Sequence, residues 1–198
     1  MARKQQEKSL QTQRELRDSA EKLFAAKGFV ATTVAEITSD AGYAKGNFYR
    51  HWQSKDEIML EIIAIKMQSY RAMRDEALKS AGSLDEVMDR ILDFLETMID
   101  DRNWCSVFLE FTIHASRNEE LRAQLNQSLY RLSNQIFDDI VAPWVKSGFP
   151  ARKIGALNTA LFEGFLIHSL LGTGTIDRTD FRRAAKRLAL ANALDTQE

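Results

Sequence analysis

Cysteine is almost absent: Cys105 is the only one in 198 residues. One thiol excludes an internal disulfide framework and a cysteine-rich zinc site. Proline occurs twice and glycine nine times, so little interrupts a chain rich in helix formers. The start, MARKQQEKSLQTQ, is charged and has no apolar core, so it is not expected to be a signal peptide. The most apolar run, 160–171, is broken by Glu163 and His168 and is too short to span a bilayer. Paired cysteines, a Gly-rich phosphate loop and a serine, histidine and carboxylate constellation are all missing. An enzyme reading therefore has no residue to stand on, and neither a metal nor a cofactor is expected.

The composition that remains is 44% hydrophobic and 28% charged, ordinary for a globular protein with a real core. An all-α fold is expected, as one large domain or two small ones. Charge is unevenly placed. Residues 1–55 carry ten Lys and Arg against six Asp and Glu, whereas residues 56–198 carry 17 against 22. Only the amino-terminal part suits a polyanion, which points to a local DNA-binding module on a neutral-to-acidic body.

The stretch 33–55, TVAEITSDAGYAKGNFYRHWQSK, organises the chain. Thr33 with Glu36 three residues on is a capping box that starts a helix. Val34, Ile37 and Ala41 share its buried face. Gly42 then supplies an open turn, and a second helix runs over about 44–52. On it Ala44, Phe48 and Trp52 point one way and Gly46, Tyr49 and Arg50 the other, with Lys45 and Asn47 on the flanks. The outward face is flat at Gly46 and polar, basic and aromatic around it, as entry into a major groove requires.

Residues 14–60 resemble the helix-turn-helix of the TetR family of bacterial transcriptional regulators. The resemblance is carried by Ala20, Leu23, Phe24, Gly28, Thr32, Thr33, Ile37, Ala41, Gly42, Lys45, Gly46, Tyr49, His51, Ser54 and Lys55. It implies an amino-terminal three-helix DNA-binding domain and a larger helical ligand-binding and dimerisation domain, about nine helices in all. With no signal peptide or spanning run expected, a cytoplasmic location is expected, and the resemblance implies that it is bacterial. Tyr43, Ala44, Asn47 and Trp52 depart from the family's usual residues, which leaves the operator sequence open.

The expected domains are 1–55 for DNA binding, 56–80 as a connecting helix, and 81–198 for effector binding and dimerisation. Residues 1–11 read as a solvated tail, or as an arm reaching the minor groove. The first helix covers about 12–27 and stops at Gly28. Ser54 with Glu57 opens the connecting helix, which the resemblance makes a lever between ligand and DNA. Helices follow from Ser83, over 104–116, and from Asn118, the last bent at Pro143 and ended at Gly148. The helix over 151–171 is apolar almost all round, so it is buried on more than one side. A final helix starts at Asp177 and runs through about 194. The resemblance pairs these last two with their two-fold mates.

Several constellations stay open at this level. Glu110 and His114, four apart on one face, could be metal ligands, a ligand contact or a helix-stabilising pair. Cys105 could be a redox sensor or an inert buried thiol. The aromatics of the later helices could be plain core, yet the family encloses an apolar effector pocket there. Its expected lining is Trp104, Phe108, Phe111, His114, Phe165 and His168, with His168 equally readable as core or interface. The expected dimer interface is Phe162, Leu166, Ser169, Leu170 and Leu188.

The sequence thus predicts a homodimeric, ligand-responsive repressor that binds a double-stranded palindromic operator. Lys45, Asn47, Tyr49 and Arg50 are placed for base edges around Gly46. Thr32, Thr33, His51 and Lys55 are placed for phosphates. The effector, a small apolar or amphipathic molecule, has no identity in the sequence. An activator, a ligand-independent regulator and a sequestering protein are the alternatives.

Overall fold

The computed structural model describes residues 2–146 and 150–193, and their regular elements are all helical. The α-helices are α1 (Ala2–Lys27), α2 (Val34–Asp40), α3 (Lys45–Phe48), α4 (Lys55–Leu78), α5 (Leu84–Asp100), α6 (Arg102–Ser116), α7 (Glu119–Leu125), α8 (Arg131–Ile136), α9 (Ala151–Leu171) and α10 (Arg178–Leu190). The single long helix expected from Asn118 is divided by two π-helical segments, Asn126–Tyr130 and Phe137–Val141. Pro143 ends this run in a short 3-10 turn, Ala142–Trp144, rather than bending it, because a proline nitrogen has no hydrogen to donate. Gly148 lies outside the described residues.

The chain forms two compact units, Met1–Lys66 with Ser106–Arg122, and Met67–Cys105 with Ala123–Glu198. The amino-terminal unit therefore takes in more than residues 1–55. Helices α4 and α6 each contribute residues to both units.

In the first unit, α1 begins at Ala2, so the segment expected to fray is helical. Arg3 with Glu7 and Gln11 with Glu15 are i, i+4 pairs that support it. From Thr12 onward one face turns inward: Leu16, Ala20 and Phe24 are buried with Phe29, Ile37, Phe48, Ile58 and Ile62. Gly28 ends α1 at φ +87°, the left-handed conformation that glycine adopts without a Cβ penalty, and its N–H donates to Phe24 O. The Thr33 and Glu36 capping box forms as expected. The Ser54 hydroxyl accepts from Glu57 N, and Glu57 accepts from Gln53 N, so α4 starts where the sequence marks it.

The second unit packs α5, α9 and α10 together. Ser83 caps α5, and Asp177 with Asp180 boxes the start of α10. Arg182 on α10 donates to Asp89, Asp93 and Glu96 of α5 at 2.8–3.0 Å, and Lys186 reaches Asp85 and Asp89. Phe165 stacks on Phe181 with ring centroids 5.4 Å apart. Gly155 lets α9 approach Phe137, where a Cβ would sit 2.7 Å from the ring. By length and hydropathy α9 could cross a membrane, a property of the whole 21-residue helix that the run 160–171 did not reveal. Its Ile154, Phe162, Phe165 and Leu166 are instead buried within the unit.

Candidate nucleic-acid interface

Helix α3 is anchored from inside. Phe48 is fully buried and Trp52 nearly so, with ring centroids 5.3 Å apart. The Trp52 indole N–H donates to Glu61 at 2.7 Å, and Arg17 pairs with the same carboxylate. The regular helix is only Lys45–Phe48, shorter than the 44–52 expected. Backbone bonds from His51 N and Trp52 N to Phe48 O carry the coil onward.

The opposite face is open. Lys45, Gly46, Tyr49 and Arg50 are exposed, and Asn47 and His51 are half-exposed. Nothing lies within 4 Å of where a Cβ on Gly46 would stand, so a duplex could approach the backbone there. The Lys45 ammonium sits 5.9 Å from the Tyr49 ring centroid, a cation–π spacing that holds charge and ring together. This face carries hydrogen-bonding groups for base edges and cations for phosphates.

Two of the predicted phosphate contacts are already engaged. Thr32 is buried and its hydroxyl donates to Gly28 O at 2.7 Å. The Lys55 ammonium donates to Phe29 O, Val30 O and Thr32 O at 2.6, 3.2 and 2.7 Å and lies over the Phe29 ring. Burial pushes its pKa down. An ammonium has three hydrogens, and all three are used here, so Lys55 shapes the loop into α2 rather than reaching a phosphate. Thr33 stays exposed. Its hydroxyl and backbone amide, together with the Lys27 ammonium, hold the Glu36 carboxyl down at about 2, Lys27 acting most strongly.

The same loop is gripped from α6. The Glu110 carboxylate accepts from Phe29 N at 2.7 Å and Val30 N at 3.0 Å. His114 Nε2 meets Asp56 Oδ1 at 2.9 Å, and its ring lies 5.1 Å from Phe29. The i, i+4 spacing of Glu110 and His114 was visible in the sequence, but their partners were not. Among the described residues no group of three His, Cys, Asp or Glu is placed to hold a metal.

The six residues expected to line an effector pocket divide between the two units. Phe108, Phe111 and His114 belong to the first unit, and Trp104, Phe165 and His168 to the second. Phe111 is buried against Phe29 at 5.0 Å. His168 is exposed and bonded to the Thr173 hydroxyl at 2.9 Å. A cavity of about 480 Å³ lies elsewhere in the second unit, lined by Arg74, Asp75, Leu78, Lys79, Asp139 and Ile140. Two of those residues belong to the π segment Phe137–Val141, and π-bulges recur at functional sites. Cys105 is buried, which with the nearby Asp101 carboxylate raises its thiol to about 11, a shift that disfavours the thiolate at neutral pH.

The expected dimer residues also divide. Phe162 and Leu166 are buried inside their own unit, Phe162 facing Phe181 at 6.0 Å, so they cannot form an outer face. Ser169, Leu170 and Leu188 are partly exposed. The exposed large apolar residues of α9 are Leu157, Leu161, Ile167 and Leu171. Since α9 is apolar on nearly every side, periodicity could not tell its inner face from its outer one.

Comparison with known proteins places this geometry. Residues 16–62 match the family described as bacterial regulatory proteins, tetR family, and residues 84–193 match the BetI-type transcriptional repressor, C-terminal. The fatty acid metabolism regulator protein of Bacillus subtilis is 24% identical over 131 residues, 66% of each chain. A 39-residue stretch, 20% of this chain, is 54% identical to the uncharacterized regulator YerO of the same organism. The chain spans only 14% of YerO's length and just under two thirds of the fatty acid regulator's. The crystal structure of the transcriptional regulator FadR from Bacillus subtilis in complex with stearoyl-CoA superposes with a TM-score of 0.73 at 20% identity, covering 89% of this chain and 97% of that one. At that identity the likeness concerns the fold. With more than half of its residues matched by the carboxy-terminal family and the helix-turn-helix by the other, the chain belongs to the TetR family of bacterial regulatory proteins, its second part being of the BetI type.

Proposed function

We propose that this protein is a homodimeric transcriptional repressor that binds a palindromic operator through α3 and leaves it when a small amphipathic effector binds the second unit. The observation that carries the reading is the open face of α3, where Lys45, Gly46, Tyr49 and Arg50 are exposed while Phe48 and Trp52 fix the helix from behind. Lys45, Asn47, Tyr49 and Arg50 contact base edges, and Thr33 and His51 contact phosphates. Thr32 and Lys55 act one step back, by shaping the loop that presents Thr33.

Dimerisation uses the outer face of α9, where Leu157 and Leu161 are four apart and Leu171 falls within about 80° of them around the helix. An apolar row of this kind finds burial in a two-fold mate. The effector site is supported by the cavity beside the π segment, whose lining joins apolar Leu78 and Ile140 to charged Arg74, Lys79, Asp75 and Asp139. Effector binding favours a conformation in which the two α3 helices no longer match successive major grooves.

Footprinting of the purified protein on DNA upstream of its own gene, across a salt series, tests the reading. A protected palindrome lost at high salt is expected, because each neutralised phosphate releases counterions. A folded dimer that protects no sequence there or in a genome-derived duplex library would overturn it.

A further inference from the structure

We propose that the first turns of α1 form a second DNA contact, a cationic helix that lies against the phosphates flanking each half-site. This inference rests on the operator-binding reading and extends it beyond the helix-turn-helix.

The placement follows from the contacts made along α1. Near its carboxy-terminal end, Lys27 pairs with Glu36 at the start of α2. Two turns earlier the Ser19 hydroxyl donates to Asp40 at the end of α2, at 2.8 Å. Two turns earlier again, the Thr12 hydroxyl lies 3.5 Å from the hydroxyl of Tyr43, in the turn that leads into α3. Tyr43 is tied to α1 a second time by donating to Glu15. Residues before Thr12 therefore run on past the α2–α3 turn, at the end of the domain where recognition helices present their amino termini to the groove.

Beyond that point the described residues do not cover the helix. Residues 3–11 are all exposed. Ten residues of helix extend about 15 Å, enough to pass over several base pairs outside the half-site. Lys4, Lys8 and Thr12 are four apart and form one row along the helix, so the two ammonium groups lie in line with the Thr12–Tyr43 contact. Neither the Lys4 nor the Lys8 side chain has an ion-pair partner among the described residues, whereas Arg3 shares its charge with Glu7. A ten-residue helix whose one large apolar side chain, Leu10, is itself exposed gains little from a core. Its row of cations suits a polyanion that follows the same direction, the sugar-phosphate backbone.

The test is hydroxyl-radical footprinting with a salt titration, on a duplex carrying the operator and long flanks. It compares the full-length wild type with a variant carrying Arg3→Ala, Lys4→Ala and Lys8→Ala. All three positions are exposed, so the fold tolerates them. The variant should keep the half-site protection and lose the flanking protection. Its log K against log salt should be shallower by about 0.9 for each phosphate that the variant no longer neutralises, and its affinity at low salt about tenfold weaker or more. Lys4→Arg with Lys8→Arg should restore both. Wild-type protection of the half-sites, with the alanine variant unchanged in flank and slope, would overturn the proposal and leave the operator reading standing. Absence of half-site protection by the wild type on any duplex would overturn both.

Discussion

The Glu110 carboxylate on α6 accepts the backbone N–H of Phe29 at 2.7 Å, directly after the glycine that ends α1. With Val30 N also bonded to it, one side chain serves two amides of the loop between α1 and α2. Glu110→Ala removes that acceptor, and the expected loss is about 1–3 kcal/mol of unfolding free energy. Gly28→Ala should cost about 1 kcal/mol or more, because its φ is +87° and the new Cβ would stand 2.8 Å from Glu110 Oε2. Urea denaturation measures both. Stabilities within about 0.5 kcal/mol of the wild type would contradict the clamp.

Lys55 and Arg50 should separate structure from DNA contact. Lys55→Met removes a three-carbonyl anchor, so it should lower the melting temperature while leaving the salt slope of operator binding unchanged. Arg50→Ala, at an exposed position, should leave the melting temperature unchanged and weaken operator binding by about 1–3 kcal/mol, as the loss of a base-edge contact does. A shallower slope in Lys55→Met would return Lys55 to the phosphate contacts.

The two Lys55 outcomes show where sequence reading reaches its limit. The Thr33 and Glu36 box, the Gly28 stop and the Gly42 turn were legible because caps and turns are decided by residues three or four apart. Phe48 and Trp52 were legible as the inner face of α3 because polar residues mark its outer face. Thr32 and Lys55 were not legible as internal anchors, since Lys55 meets carbonyls 23–26 residues away. The π segments leave no periodic signature. On α9, Phe162 and Leu157 look alike in a helix with no polar side, and only packing against Phe181 distinguishes them.

Acid should act on the start of α2. The Glu36 carboxyl is held down at about 2 from an ordinary 4.5, chiefly by Lys27 and then by Thr33. Its contribution to stability is present in full above pH 4.5 and is lost as pH falls towards 2. Melting temperatures between pH 5 and pH 2.5 should therefore fall more steeply for the wild type than for Glu36→Gln. Parallel profiles would contradict the assignment.

The two faces of α9 should respond differently to substitution. Leu157→Glu with Leu161→Glu, both at exposed positions, should yield a helical monomer in sedimentation at micromolar concentration. Phe162→Ala opens a cavity inside the unit, and about 3–5 kcal/mol of stability should be lost while the dimer survives. A dimer that persists in the first variant and dissociates in the second would move the interface to the other face.

The most direct measurement is operator affinity at fixed salt for the wild type, Lys45→Ala and Tyr49→Ala, with dimerisation checked by sedimentation. Both side chains are exposed on α3 and stand within cation–π distance of each other. Each variant should bind the protected palindrome more weakly by about 1–3 kcal/mol, roughly five- to 150-fold, while remaining a folded dimer. Wild-type affinity in both variants would contradict the placement of α3 in the major groove.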